Sequence, residues 1–154
     1  MIGGAGIGSR MRIWLAFLVL LVAALPAAAQ RGDEVQALAE FAARLGLRDV
    51  AAFVEAVQTL RRERHLPPRY VGKDQARERG WRGGGLCAVW PEHIIGGDPF
   101  GNFERQLPAA AGRRWREADL DPNCRERGAK RLLFSNDGLI LVTVDHYKTF
   151  VPVP

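Results

Sequence analysis

The chain has 154 residues and a formal charge of +5, and it is 47% hydrophobic with 25% charged residues. Those values exclude wholesale disorder, a collagen-like fibre and a disulfide-dense miniprotein, and the length suits one domain. Beyond an apolar block at 11–29, no stretch approaches the roughly 20 apolar residues that a membrane span needs, which excludes a polytopic membrane protein.

The apolar block has the grammar of a secretory signal. Arg10 and Arg12 form a positive start, residues 13–25 are an uncharged aliphatic run, Pro26 breaks it, and Ala27, Ala28 and Ala29 supply small residues for cleavage before Gln30. The expectation is a signal peptide over 1–29, a chain secreted to the outside or the periplasm, and no stable membrane association after cleavage. The alternative is an uncleaved N-terminal anchor. Cleavage removes two arginines and no acids, so the remaining chain keeps a modest basic excess that permits a polyanionic ligand without demanding one. Cys87 and Cys124 are an even pair in an oxidising compartment, so a disulfide is expected. No histidine stands at ligand spacing from either, so no metal is expected.

Residues 30–34 are polar and are expected to be loose. Val35, Leu38, Phe41, Ala42 and Leu45 then recur at helical spacing, ended by Gly46. A second helix starts after Asp49, a good N-cap, with Val50, Phe53, Val54, Val57 and Leu60 on one face. Arg61, Arg62 and Arg64 suit its negative end, although they could also form an RNA-binding patch. Leu66-Pro67-Pro68 stops it. Residues 73–79 suit a short third helix, and 82–85 (RGGG) a loop. From there the pattern turns to strands: 114–120 places Trp115, Glu117 and Asp119 on one face, 130–134 and 139–144 flank a hairpin turn at Ser135-Asn136-Asp137-Gly138, and 149–153 is an edge strand. Helices first and antiparallel strands second means α+β, with N-terminal helices packed on a C-terminal antiparallel β-sheet.

Few side chains can carry chemistry. His65 and His93 sit in loop contexts as bystanders. His146 ends a strand between Asp145 and Tyr147, a place that suits either a structural or a catalytic imidazole. Glu117 in mid-strand is either half of an ion pair or a base. If the two share a cleft, a carboxylate and an imidazole suit a general base and a general acid, with Lys73, Arg113, Arg127 and Arg131 as cations for a phosphate. Neither a nucleophile elbow nor a Walker loop is present.

The segment 66–150 resembles the barnase family of secreted bacterial guanyl-preferring ribonucleases. The resemblance rests, in chain order, on LPPRYVGK at 66–73, GW at 80–81, IGGDPFGNFE at 95–104, RRWREADL at 113–120, RGAKRLLFSNDGLI at 127–140 and DHYKTF at 145–150. The helix at 35–45 has no counterpart in it. Together with the signal reading, the resemblance, which extends loosely back over the helix from Asp49, divides the chain into a signal peptide (1–29), an N-terminal extension with a short helix (30–48) and a ribonuclease domain (49–154).

By this resemblance Glu117 is the general base, His146 the general acid, and Lys73, Arg127 and Arg131 the phosphate-binding cations. Tyr147 stands beside the acid, Asp119 holds the two arginines, and Arg113 is mainly structural. Phe100, Gly101, Asn102, Phe103 and Glu104 form the guanine-reading loop, with Gly101 in place of the usual Ser and Phe103 in place of an Arg. The implied activity is metal- and cofactor-independent cleavage of single-stranded RNA after guanosine, through a 2′,3′-cyclic phosphate. The implied state is a monomer acting on an RNA substrate, with an acidic barstar-like inhibitor protein as a further candidate partner. A catalytically weak RNA-binding module and an antibacterial toxin using the same chemistry are the alternatives. The resemblance also places Cys87 and Cys124 on loops beside the base-binding side of the sheet.

Overall fold

The computed structural model describes Met1, Gly3 and residues 27–154. The signal segment expected at 1–29 otherwise lies outside the described residues. Contacts divide the chain into two units, residues 1–34 and 35–154. Helix α1 covers Ala27–Arg44. Residues 30–34 are therefore helical rather than loose. Glutamine, arginine and glutamate at 30, 31 and 34 are good helix formers, and they carry Gly32 and Asp33, which are poor ones. The helix ends as the sequence indicates. Gly46 takes a left-handed φ of 66°, and the N–H groups of Gly46 and Leu47 donate to the carbonyls of Ala43 and Ala42.

Helix α2, Val50–Glu63, starts at Asp49, whose carboxylate accepts the Ala52 N–H at 2.9 Å. It ends at Arg64, which turns left-handed and donates its N–H to Leu60 O. Then come β1 (Tyr70–Val71), α3 (Lys73–Glu78), a 3₁₀ turn (Leu86–Ala88), β2 (Ile94–Phe100), β3 (Trp115–Asp119), β4 (Arg131–Ser135), β5 (Ile140–Thr143) and β6 (Val151–Pro152). The six strands lie in sequence order in one sheet; β1 and β2 run parallel, and every other pair is antiparallel. The β4–β5 turn at Ser135–Gly138 closes with Ser135 N–H on Leu139 O. Strands β1 and β2 lack a clear alternating pattern, because Gly96, Gly97 and Pro99 interrupt the second.

Strand periodicity splits the sheet into two faces. Ala118, Leu120, Leu132, Phe134 and Val142 pack with Leu38, Phe41, Ala42, Phe53, Val57 and Leu60 in the main core. The opposite face carries a smaller cluster of Leu107, Trp115, Leu133 and Leu141, edged by Phe100 and Phe150. Glu117, Asp119, Arg131 and Thr143 belong by alternation to that second face, and all four are buried. Among the described residues no helix is long and apolar enough to cross a membrane.

Candidate active site

Glu117 sits at the middle of β3, opposite Leu133 on β4, and is 7% exposed. Its Oε1 lies 3.1 Å from Lys73 Nζ and 4.0 Å from an Arg127 Nη2. Its Oε2 accepts the Tyr147 hydroxyl at 2.6 Å. Two residues on, Asp119 is paired with Arg131 across the strands. The Arg127 fork donates to both Asp119 oxygens at 2.8 and 2.7 Å, and Arg131 Nε lies 3.1 Å from Oδ1. Charges alternate along the chain of contacts Lys73, Glu117, Arg127, Asp119, Arg131, and the three cations outnumber the two carboxylates. Burial pushes the Glu117 carboxyl up, but the Tyr147 hydroxyl, Lys73 and Arg127 outweigh it and hold the group below the ordinary carboxylate value. Tyr147 is pushed up to about 12 by burial and by Glu117, so it stays a hydrogen-bond donor. Asp119 holds the Arg127 guanidinium firmly charged through their hydrogen bonds.

Each functional side chain is set by a local device. Lys73 opens α3, and its N–H donates to both Asp98 oxygens at 3.1 and 3.2 Å. Asp98 follows a bulge in β2 at Gly97. Gly96 allows close packing there, since a Cβ would come 2.7 Å from the Tyr70 ring and 2.8 Å from Ala118. His146 and Tyr147 both adopt left-handed backbone, at φ 58° and 69°. Asp145 holds this strained turn: it accepts Thr143 Oγ1, Lys148 N, Thr149 N and Thr149 Oγ1 at 2.9, 3.1, 3.0 and 2.6 Å. Thr143 Oγ1 accepts the Tyr147 N–H at 3.0 Å, and the His146 N–H donates to Ala129 O. Those contacts hold the Asp145 carboxyl down at about 2.

An open cleft of about 370 Å³ adjoins this floor, lined by residues 99–104 with Gln106, Glu117, Tyr147 and Phe150. The loop after β2 closes on itself: Asn102 Oδ1 accepts the Leu107 N–H and Nδ2 donates to Leu107 O, both at 2.9 Å. Glu104 is exposed and accepts Gln106 Nε2 at 2.7 Å. Phe100 stacks on Tyr147 with centroids 5.4 Å apart, whereas Phe103 is 94% exposed. A larger cavity of about 560 Å³ lies by the start of α2 and shares only Asp119 with this set.

A ribonuclease family model matches residues 54–154. The chain belongs to the ribonuclease family. It is 47% identical over 94 residues to a ribonuclease of Heyndrickxia coagulans, which covers 60% of this chain and 86% of that protein. Ribonucleases of Bacillus intermedius and Bacillus pumilus match at the same identity over 60% of this chain. The match spans 58% of each Bacillus protein, less than two thirds of their length. The barnase-like resemblance and the α+β fold stand together on these matches and on the sheet described above.

Within this ribonuclease chain, Glu117, Lys73, Arg127, Asp119, Arg131 and Tyr147 form one connected network. His146 is exposed; its ring centroid lies 5.1 Å from that of Tyr147, and it does not line the cleft. Arg113 stands apart from Lys73, Arg127 and Arg131, with Nε 2.8 Å from Asp137 Oδ2 and Nη1 on Pro108 O. Sequence reasoning missed Asp98, Thr143 and Gln106, and saw Asp145 only as a neighbour of the histidine. The repeated Thr and Asp of TVDHYKT, whose side chains form local turns, was the available signal for Thr143 and Asp145.

Cys87 and Cys124 are bridged, with Cα atoms 4.9 Å apart. The bridge is not beside the loop at 100–104 that the resemblance assigns to the base. That loop leaves the Phe100 end of β2, opposite Trp115 at the start of β3, whereas Cys124 follows the other end of β3 beyond Asp119. It ties the 3₁₀ turn to the loop carrying Arg127, assisted by the Gly85 N–H on Arg125 O at 3.1 Å. Glycine is required at 85, where a Cβ would overlap Asn123 O and come 2.7 Å from Cys124 C. Among the described residues no group of three His, Cys, Asp or Glu side chains is arranged to hold a metal.

Proposed function

We propose that the chain is a secreted endoribonuclease that cleaves single-stranded RNA after guanosine by transesterification, followed by hydrolysis of the cyclic product. The observation that carries the reading is the buried, ionised Glu117 on the floor of the cleft, flanked by Lys73 and Arg127 and bonded to the Tyr147 hydroxyl.

RNA supplies its own nucleophile. Glu117 takes the 2′-hydroxyl proton as O2′ forms its bond to phosphorus. The bond from phosphorus to O5′ breaks, and His146 delivers a proton to that oxygen. In hydrolysis the roles reverse: His146 takes a proton from water, and Glu117 returns one to O2′ as the cyclic ester opens. Lys73, Arg127 and Arg131 stabilise charge that builds on the phosphoryl oxygens. Holding these cations on Glu117 and Asp119 sets their geometry before substrate arrives.

The base loop supports the guanosine preference. Glu104 offers an acceptor to the ring N–H and amino group on guanine's Watson–Crick edge, and adenine presents an acceptor where guanine has the ring N–H. A base that covers Glu104 without bonding it leaves a carboxylate unsatisfied, at a cost of about 1–3 kcal/mol or more. The test is cleavage of the dinucleotides GpU, ApU and UpU with and without EDTA. The expected result is a cyclic phosphate product, insensitivity to EDTA, and kcat/KM for GpU at least about tenfold above the others. Equal rates on all three overturn the role of Glu104, and RNA bound without cleavage overturns the enzyme reading.

A further inference from the structure

Phe103 is the one aromatic among the exposed large hydrophobic side chains of the described residues. A fully solvated ring contributes nothing to the core, yet this one borders the cleft with Phe100, Tyr147 and Phe150. Its nearest support is Gly101. A Cβ built at 101 would overlap Cε2 of the Phe103 ring and come 2.5 Å from Cζ and 2.8 Å from Cδ2. Gly101 has no left-handed φ, so the backbone conformation does not itself require glycine there. What needs the missing side chain is the ring lying over residue 101. Gly101 and Phe103 are thus one coupled feature, because any Cβ at 101 would occupy the place of the ring.

We infer that Phe103 is a stacking face for a purine base at the mouth of the cleft, and that Gly101 is its positioning residue. The inference rests on the ribonuclease reading above and adds to its base site. A nucleobase has a polar edge and an apolar face. Glu104 offers an acceptor to the edge, and the neighbouring ring of Phe103 offers a flat apolar surface to the face. Stacking is sequence-tolerant, so Phe103 supplies affinity while Glu104 supplies discrimination. The ring carries no charge, and its contribution is insensitive to salt, unlike that of a cation at the same position.

The experiment measures binding of guanosine 3′-monophosphate, kcat and KM on GpU, and Tm for the full chain and five variants. Phe103→Ala and Phe103→Leu should each weaken binding and raise KM on the order of tenfold, with kcat and Tm held, and Phe103→Tyr should bind as the wild type does. Gly101→Ala should reproduce the loss of Phe103→Ala. The double variant should bind no more weakly than Phe103→Ala alone, since both changes remove one contact. Wild-type affinity in Phe103→Ala or in Gly101→Ala overturns the inference, as do losses that add in the double variant. Wild-type affinity in Phe103→Leu reduces the ring to apolar cover and overturns stacking. A wild-type chain inactive on RNA sinks the ribonuclease reading, while nucleotide binding still decides the role of Phe103.

Discussion

The floor of the cleft and the loop that borders it are built on opposite plans. On the floor, Glu117, Asp119 and Arg131 are buried in the sheet, and their charges are matched before any substrate is present. In the loop at 100–107 the proposed base-reading groups face water, and Glu104 and Phe103 are exposed. Asn102 and Leu107 are tied to each other by the two hydrogen bonds that close the loop. On the proposed roles, the difference teaches that bond-making groups need geometry held in advance, whereas a base reader needs an open edge until the base covers it.

That contrast breaks most sharply at the proposed acid–base pair. Glu117→Gln and His146→Gln should each lower kcat on GpU by about 10²–10⁴-fold while guanosine 3′-monophosphate still binds. Near-normal turnover in either removes that residue from its role. Asp119→Ala comes next. It leaves Arg131 without its carboxylate and Arg127 with only the 4.0 Å contact to Glu117, and should cost about 3–5 kcal/mol of stability in urea melts. Reducing the Cys87–Cys124 bridge should lower Tm, with up to about 4 kcal/mol lost in the loop-entropy account. The ratio of GpU to ApU cleavage should stay unchanged, because the bridge lies at the far end of β3 from the base loop. A changed ratio in the folded reduced protein would contradict the separation of the two regions.

Two smaller effects sharpen it further. Asn102→Ala should open the loop and narrow the preference for GpU over ApU, at about 1–3 kcal/mol, with kcat retained. Tyr147→Phe removes a hydrogen bond that holds the Glu117 carboxyl down. The carboxyl then rises, so the acidic limb of the pH–rate profile moves to higher pH. The same sign governs stability. Glu117, held below its unfolded value, stabilises the fold above that value, and the contribution fades as pH falls through the folded one. A limb that stays in place in the Tyr147→Phe profile would separate the hydroxyl from the base.

Local pattern carried much of the molecule. The Asp49 cap, the Gly46 stop, the apolar stripe of α2, the alternation of β3 and the Ser135–Gly138 hairpin are all readable because capping, helical period and strand period act within a few residues. Motifs within 66–150 also named Lys73, Glu117, Asp119, Arg127, Arg131 and Tyr147, which the fold joins in one network, whereas it leaves the candidate acid His146 exposed. What the sequence could not decide depended on partners far along the chain. The pairing of β1 with β2 joins Tyr70 to Ile94, and neither strand has a periodic signature of its own. Asp98 meets Lys73 across 25 residues, Tyr147 meets Glu117 across 30, and the bridge lies away from the base loop because β3 carries its two loops to opposite ends. The helical state of 30–34 also escaped, since none of these residues is buried and Gly32 and Asp33 are poor helix formers that the flanking residues carry. Propensity and period are local quantities. Which carboxylate holds which cation is set by sheet register, and register exists only once the strands have packed.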